Sequence, residues 1–160
     1  MDAGEKALAQ REIENLLSLY YQALDRGDLE TLEREVMAPD ATWELVQLCG
    51  EERIVDKSSG RDRVIEWFRK MLGGGVTMSE GSVRHTLSTH VIRVDGDSGH
   101  STSHLQAIET IGMTNVASGF VEADHVRTPK GWRIRYYKVE ETITAADMQA
   151  LKAAFGHSSD

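Results

Sequence analysis

Arg84-His85-Thr86-Leu87-Ser88-Thr89-His90-Val91-Ile92-Arg93-Val94-Asp95-Gly96-Asp97 reads as a long strand that opens on a histidine and closes in a tight turn. Val91, Ile92 and Val94 are β-branched and suit a pleated surface, and Asp95-Gly96-Asp97 supplies turn chemistry. A second strand follows at once, so the stretch is a hairpin. The same pattern continues downstream. Segments 84–95, 99–111, 115–127 and 131–143 read as strands, separated by that turn, the region around Gly112, and Pro129-Lys130-Gly131. Four sequential strands with short connections predict an antiparallel meander. In the last, Trp132, Ile134 and Tyr136 alternate with Arg133, Arg135 and Tyr137, as expected when one face is buried and the other wet.

The half before the hairpin is helical. Residues 5–26 place Ile13, Leu16, Leu17, Tyr20 and Leu24 on one apolar face, and Gly27 is the stop signal. Asp25 therefore falls in the last turn, where the helix dipole disfavours a negative charge. Exposed, it would cost little; buried, it would need a cationic or hydrogen-bonding partner. A solvated turn, Asp25-Arg26-Gly27-Asp28, with Asp28 capping the next helix, is the plain alternative. A short helix over 29–36 follows, then Pro39-Asp40 as punctuation, a strand at 41–45, and a polar stretch, 49–60, with a weak strand around 53–55 at best. A third helix over 61–72 presents Val64, Ile65, Phe68, Met71 and Leu72, and Gly73-Gly74-Gly75 ends it as a flexible connector or a lid. A last helix over 145–155 carries Met148, Leu151 and Phe155, before a frayed tail. Helices first and a curved sheet afterwards predict one α+β domain over 1–160, with its core at about 8–143.

Bulk properties exclude more than they identify. The net charge of −8 argues against nucleic acid and anionic membrane, which both need a basic footprint. The single cysteine, Cys49, excludes an intrachain disulfide and paired-cysteine metal sites. No apolar run reaches the ~20 residues of a membrane span. The first residues lack the features of a signal peptide, so the expected compartment is the cytoplasm.

Phosphate-binding glycine loops, dinucleotide fingerprints, serine elbows and zinc-protease spacings are all missing. The histidines cluster in the strand half. Period-two geometry would turn residues 85, 87 and 89 one way and 90 the other, and would put 100 and 104 on one face of the next strand. His85 and His104 could then share a cavity, though two histidines without a carboxylate make a poor metal site, and no metal is expected. Asp25 and His85 are the pair with chemical meaning. An aspartate bonded to one imidazole nitrogen sets the tautomer and frees the other nitrogen to take a proton. Tyr20, one turn back, could donate to a developing oxyanion, or be a core tyrosine whose hydroxyl finds a partner.

Ile-Glu-Asn-Leu-Leu-Ser-Leu-Tyr-Tyr-Gln-Ala-Leu-Asp-Arg-Gly-Asp, residues 13–28, resembles the first helix of the SnoaL-like division of the nuclear transport factor 2-like superfamily. So do Met37-Ala38-Pro39-Asp40-Ala41, Gly60 before the third helix, the hairpin from Arg84-His85 to Asp97, and Gly131-Trp132-Arg133-Ile134. The resemblance implies a cone: a strongly curved mixed sheet around a pocket whose narrow side is closed by the helices. It also implies, by analogy with the family's scytalone and bile-acid dehydratases and its hexachlorocyclohexane dehydrochlorinase, that Asp25 and His85 are the catalytic dyad. Tyr20 is implied to assist, with His104 as a possible acid and Trp43 as a pocket wall. Thr89 stands where many relatives have Asn, and Val121 and Ala123 where many have Tyr and Asp. These three are read as substrate-binding positions that differ from the family, and Asp124 and His125 lie one register away.

The resulting expectation is a lyase of dehydratase type without a cofactor, abstracting a proton from a small cyclic, polyketide- or steroid-like substrate. A polyketide cyclase or a ketosteroid-type isomerase would use the same dyad, and a non-catalytic binding subunit would use the same fold. An enzyme requires a closed apolar pocket of several hundred Å³ with polar groups converging in it. Relatives associate through the outer face of the sheet, so a homodimer or homotrimer is expected.

Overall fold

The computed structural model describes residues 1–73 and 83–156. Helix α1 (Ala3–Arg26) is closed at its start by a capping box between Asp2 and Glu5 and at its end by Gly27, left-handed at φ 69°. Asp28 caps α2 (Leu29–Thr31), which runs directly into a π-helical turn, Leu32–Val36. Then come β1 (Met37–Cys49), β2 (Glu52–Ser59), α3 (Arg61–Gly73), β3 (Val83–Asp95), β4 (Ser98–Glu109), β5 (Thr114–Thr128), β6 (Gly131–Ile143) and α4 (Ala145–Phe155). Gly74 and Gly75 of the expected connector or lid, and the tail from His157, lie outside the described residues.

The strands form one mixed sheet in the order β2-β1-β6-β5-β4-β3. The meander β3 to β6 is antiparallel as predicted, and β1 joins β6 in parallel, so the first and last strands are neighbours at the middle of the sheet. Helix α1 lies on the concave face. There Ile13, Leu17, Tyr20 and Leu24 are buried, and Gln10 Nε2 donates to the Ile92 carbonyl at 2.8 Å. The helix sits close because β4 has no side chain at Gly99, where a Cβ would come within 2.6 Å of Ile13 Cδ1. The result is the α+β cone expected from the sequence, with helices on the inside of a curved mixed sheet.

Several expectations are corrected. The polar stretch after Cys49 holds a full strand, β2, pairing with β1 from Thr42↔Ser59 to Cys49↔Glu52. It is an edge strand, and only Ile54 is buried in it, so little apolar patterning is needed. Strand β1 starts at Met37 and includes Pro39. The ladder to β6 is irregular between Met37 and Thr42, so the missing N–H of the proline breaks no regular pairing.

Two bulges change which side chains point inward. In β3 the register to β4 shifts between Ser88 and Val91, with Thr89 at φ 52°. Val83, His85 and Leu87 face in before the bulge, and His90, Ile92 and Val94 face in after it. His85 and His90 thus share a face, contrary to simple alternation, and Thr89 is exposed. In β6 the register to β5 shifts around Arg135, since Asp124 pairs with Tyr136 while His125 pairs with Ile134. Trp132 and Ile134 face in, and beyond the bulge the inward set is Tyr137, Val139, Glu141 and Ile143 rather than Tyr136 and its successors.

Strands β5 and β6 approach most closely at Gly119, where a Cβ would fall 2.0 Å from the Glu140 carbonyl oxygen. Gly119→Ala is therefore expected to cost at least about 2 kcal/mol of stability through overpacking against backbone, measured by urea denaturation.

Candidate active site

Asp25 ends on the last turn of α1, and His85 is the third residue of β3. The structure brings them together. His85 Nδ1 lies 2.6 Å from Asp25 Oδ1, and the His85 backbone N–H donates to Asp25 Oδ2 at 3.0 Å. Both side chains are over nine-tenths buried. A carboxylate only accepts, so Nδ1 carries a proton, and in the neutral ring Nε2 is the nitrogen that has the lone pair. The ring stacks on Tyr21, with centroids 4.8 Å apart and planes within 22°. The imidazole is thus held in position and tautomer by contacts from α1 and from its own backbone. The solvated-turn alternative for Asp25 does not hold.

His85 lines a cavity between the helices and the concave face of the sheet. Its walls are mainly apolar, with Trp43, Trp67, Phe68, Met71 and Leu105 among them. The unfilled space is about 680 Å³ counted to its open mouth, but it is narrow, and the centre of a water molecule can occupy only about 80 Å³ of it. Compared with the expectation, it is apolar and has His85 in its wall, yet it is open at one side and tight. In its aromatic wall Trp43 packs on Trp67 at 4.2 Å between centroids and on Phe68 at 5.1 Å.

Tyr20 lines the same cavity and is almost wholly buried. Its hydroxyl oxygen accepts a hydrogen bond from Trp43 Nε1 at 3.0 Å. That bond uses a lone pair and leaves the phenolic proton for a ligand. Burial raises the Tyr20 pKa, so the hydroxyl stays a donor rather than a phenolate. Burial raises Tyr21 and Tyr137 likewise. Their hydroxyls influence each other, but neither makes a hydrogen bond of regular geometry among the described residues.

The remaining sequence-derived positions do not join this group. His104 is on the outer face of β4, edge-on to Phe120 at 5.0 Å, and cannot meet His85 in one cavity. Thr89 is exposed, turned out by its bulge. Val121 and Ala123 point inward but are packed core, and neither lines the cavity around His85. Asp124 is exposed and bonded to His100 Nδ1 at 2.8 Å. Among the described residues no group of three or more His, Cys, Asp or Glu is placed to hold a metal ion.

Three polar residues of the cavity, Gln47, Glu141 and Asp147, were missed by the sequence analysis. Glu141 of β6 and Gln47 of β1 are register partners, and Gln47 Nε2 donates to Glu141 Oε1 at 2.8 Å. Burial pushes the Glu141 carboxyl above the ordinary glutamate range and the charge of Asp147 adds to this, while the Gln47 hydrogen bond and His85 act the other way. Simple alternation from Trp132 turns Glu141 to solvent. Only the bulge at Arg135 brings it inside.

A curved mixed sheet wrapped on a long first helix, with a cavity at the end of that helix, defines a nuclear transport factor 2-like fold. The SnoaL-like domain family matches residues 5–138, and the chain belongs to it. No curated protein matches in sequence. Among solved structures, it is similar to a protein of unknown function with a cystatin-like fold from Nostoc punctiforme: TM-score 0.68, 18% identity, 88% of this chain and 94% of that one. It also resembles the β subunit of a proposed aromatic-ring-hydroxylating dioxygenase from Novosphingobium aromaticivorans, at TM-score 0.65, 13% identity, 86% and 92% coverage. A third is a protein from Streptomyces avermitilis, proposed to be a dehydratase of the NTF2-like family, at TM-score 0.61, 17% identity, 88% and 99% coverage. At these identities the likeness is one of fold. No described helix is long and apolar enough to cross a membrane.

Away from the cavity, His125 is buried with its Nε2 2.8 Å from Ser101 Oγ. Burial lowers its pKa from 6.5 to about 4, with Asp124 opposing and His100 assisting. A histidine held neutral in the fold contributes stability that is whole above its ordinary pKa and is lost as the pH falls toward the folded value. Between pH 7 and pH 4.5 this amounts to about 2–3 kcal/mol. His125→Gln is expected to remove that share of the acid destabilisation, read from urea midpoints at the two pH values.

Proposed function

We propose that this protein abstracts a proton from a carbon acid with His85 as the base, Asp25 as its orienter and Tyr20 as a donor to the developing oxyanion. The observation that carries this reading is the 2.6 Å contact between His85 Nδ1 and Asp25 Oδ1 inside an apolar cavity. It leaves Nε2 as the free basic atom of a fixed ring. In a cavity walled by Trp43, Trp67 and Phe68, a flat, largely apolar molecule with one carbonyl fits best. Once the proton has moved, charge accumulates on that carbonyl oxygen, and the Tyr20 hydroxyl can stabilise it. The favoured outcome is elimination, as in a dehydratase. Isomerisation and ring closure begin with the same step. A purely structural role is less well supported, since it gives no reason to bury an aspartate at the unfavourable end of a helix.

Association through the outer face of the sheet belongs to the same reading. Val91 and Phe120 are exposed there, and an interface between copies would cover them.

The experiment has two parts. Imidazole ¹⁵N NMR is expected to show His85 protonated at Nδ1 and bare at Nε2, with this preference lost in Asp25→Asn. Deuterium incorporation at the α-carbon of cyclohexanone in D₂O is expected with wild type, to fall ~10²–10⁴-fold in His85→Gln, and to fall comparably in Asp25→Asn. An unchanged exchange rate in His85→Gln would remove the base from the proposal.

A further inference from the structure

Gln47 and Glu141 are both more than nine-tenths buried, and both line the cavity that holds His85. The Gln47 amide nitrogen is engaged by Glu141, but the Gln47 carbonyl oxygen has no hydrogen-bond donor among the described residues. A buried amide oxygen without a donor is costly, and at a cavity wall it marks where a ligand group belongs. Beside it stands a carboxyl group. An acceptor that lacks a proton next to an acid that can give one is the complement of a hydroxyl, which has one proton to donate and lone pairs to accept.

We propose that Gln47 and Glu141 together recognise a hydroxyl group on the substrate, and that Glu141 is the acid that protonates this hydroxyl as it leaves. The proposal rests on His85 acting as the carbon base and makes the reaction a dehydration of a β-hydroxy carbonyl compound. The C–H bond next to the carbonyl breaks, and its proton goes to His85 Nε2. The electron pair forms the new C=C bond as the C–O bond on the next carbon breaks. The Glu141 O–H bond breaks in turn, its proton joins the departing oxygen, and water is released. His85 is left as imidazolium and Glu141 as carboxylate. Return of the proton from one to the other restores both, and the substrate has lost one water.

The fold keeps Glu141 in place. It pairs with Gln47 on one side and with Gly119 on the other, where a Cβ would lie 2.6 Å from the Glu141 Cα, so β6 has no slack there. Asp147, from the first turn of α4, lines the same cavity, and its charge together with burial favours the protonated form of Glu141.

The test uses 3-hydroxycyclohexanone and 3-acetoxycyclohexanone with wild type, Glu141→Gln and His85→Gln. Acetate departs without a proton, whereas hydroxide does not. Glu141→Gln is expected to lose ~100-fold or more in enone formation from the hydroxy compound and to regain most of that with the acetoxy compound, so that the loss follows the leaving group's need for a proton. His85→Gln is expected to lose exchange and elimination alike. An infrared difference between wild type and Glu141→Gln at pH 7 is expected to show a protonated carboxyl. If wild type shows no exchange, the His85 reading falls and this proposal with it. If exchange stands but Glu141→Gln dehydrates the hydroxy compound at the wild-type rate, fails to be rescued by acetate, or shows a carboxylate in the infrared, this proposal alone is overturned.

Discussion

A buried aspartate at the C-terminal end of a helix is the constraint around which this molecule is arranged. The dipole of α1 opposes a negative charge at Asp25, and burial opposes it further. Both costs are offset from one place, the start of β3, which offers a backbone N–H and an imidazole nitrogen to the two carboxylate oxygens. The two residues are 60 positions apart, so their meeting fixes how the first helix lies against the hairpin strand. With α1 held there, Tyr20 and Tyr21 are placed one turn back, over the same cavity, and the wall formed with Trp43 and Phe68 follows.

The second organising feature is the pair of bulges. A strand alternates strictly, so one extra residue exchanges the wet and dry sets for all that follows. The bulge at Thr89 turns that residue out and brings His90 in, where its Nδ1 lies 2.8 Å from Ser103 Oγ. The bulge at Arg135 turns Tyr136 toward Glu44 on the outer side and Tyr137 and Glu141 to the inside. The acid–base character of the cavity therefore depends on the count of residues in β6 as much as on their types.

The cavity places one imidazole among hydroxyl and carboxyl groups that burial shifts toward their neutral forms. Tyr20, Tyr21 and Glu141, which line it, are all shifted toward their neutral forms by the loss of water. Such a neutral donor set around one imidazole is what the proposed proton abstraction would need, because that step develops negative charge on oxygen. The narrowness of the space favours a flat ligand over a bulky one.

The sequence by itself determined the helices, the antiparallel meander and their order, and it singled out Asp25 and His85, whose pairing the family resemblance implied. Apolar spacing, a glycine stop and turn residues are local signals, and the dyad stands at two such landmarks, a helix end and a strand start. Other site residues were not legible for a common reason. The outward turn of Thr89, the separation of His104 from His85, the packing of Val121 and Ala123 into core, and the inward turn of Glu141 all depend on strand register. Register is a relation between strands, and a bulge leaves no mark in composition or periodicity. Only the tertiary structure, by pairing β6 with both β5 and β1, decided that Glu141 and Gln47 meet in the wall of the cavity that His85 also lines.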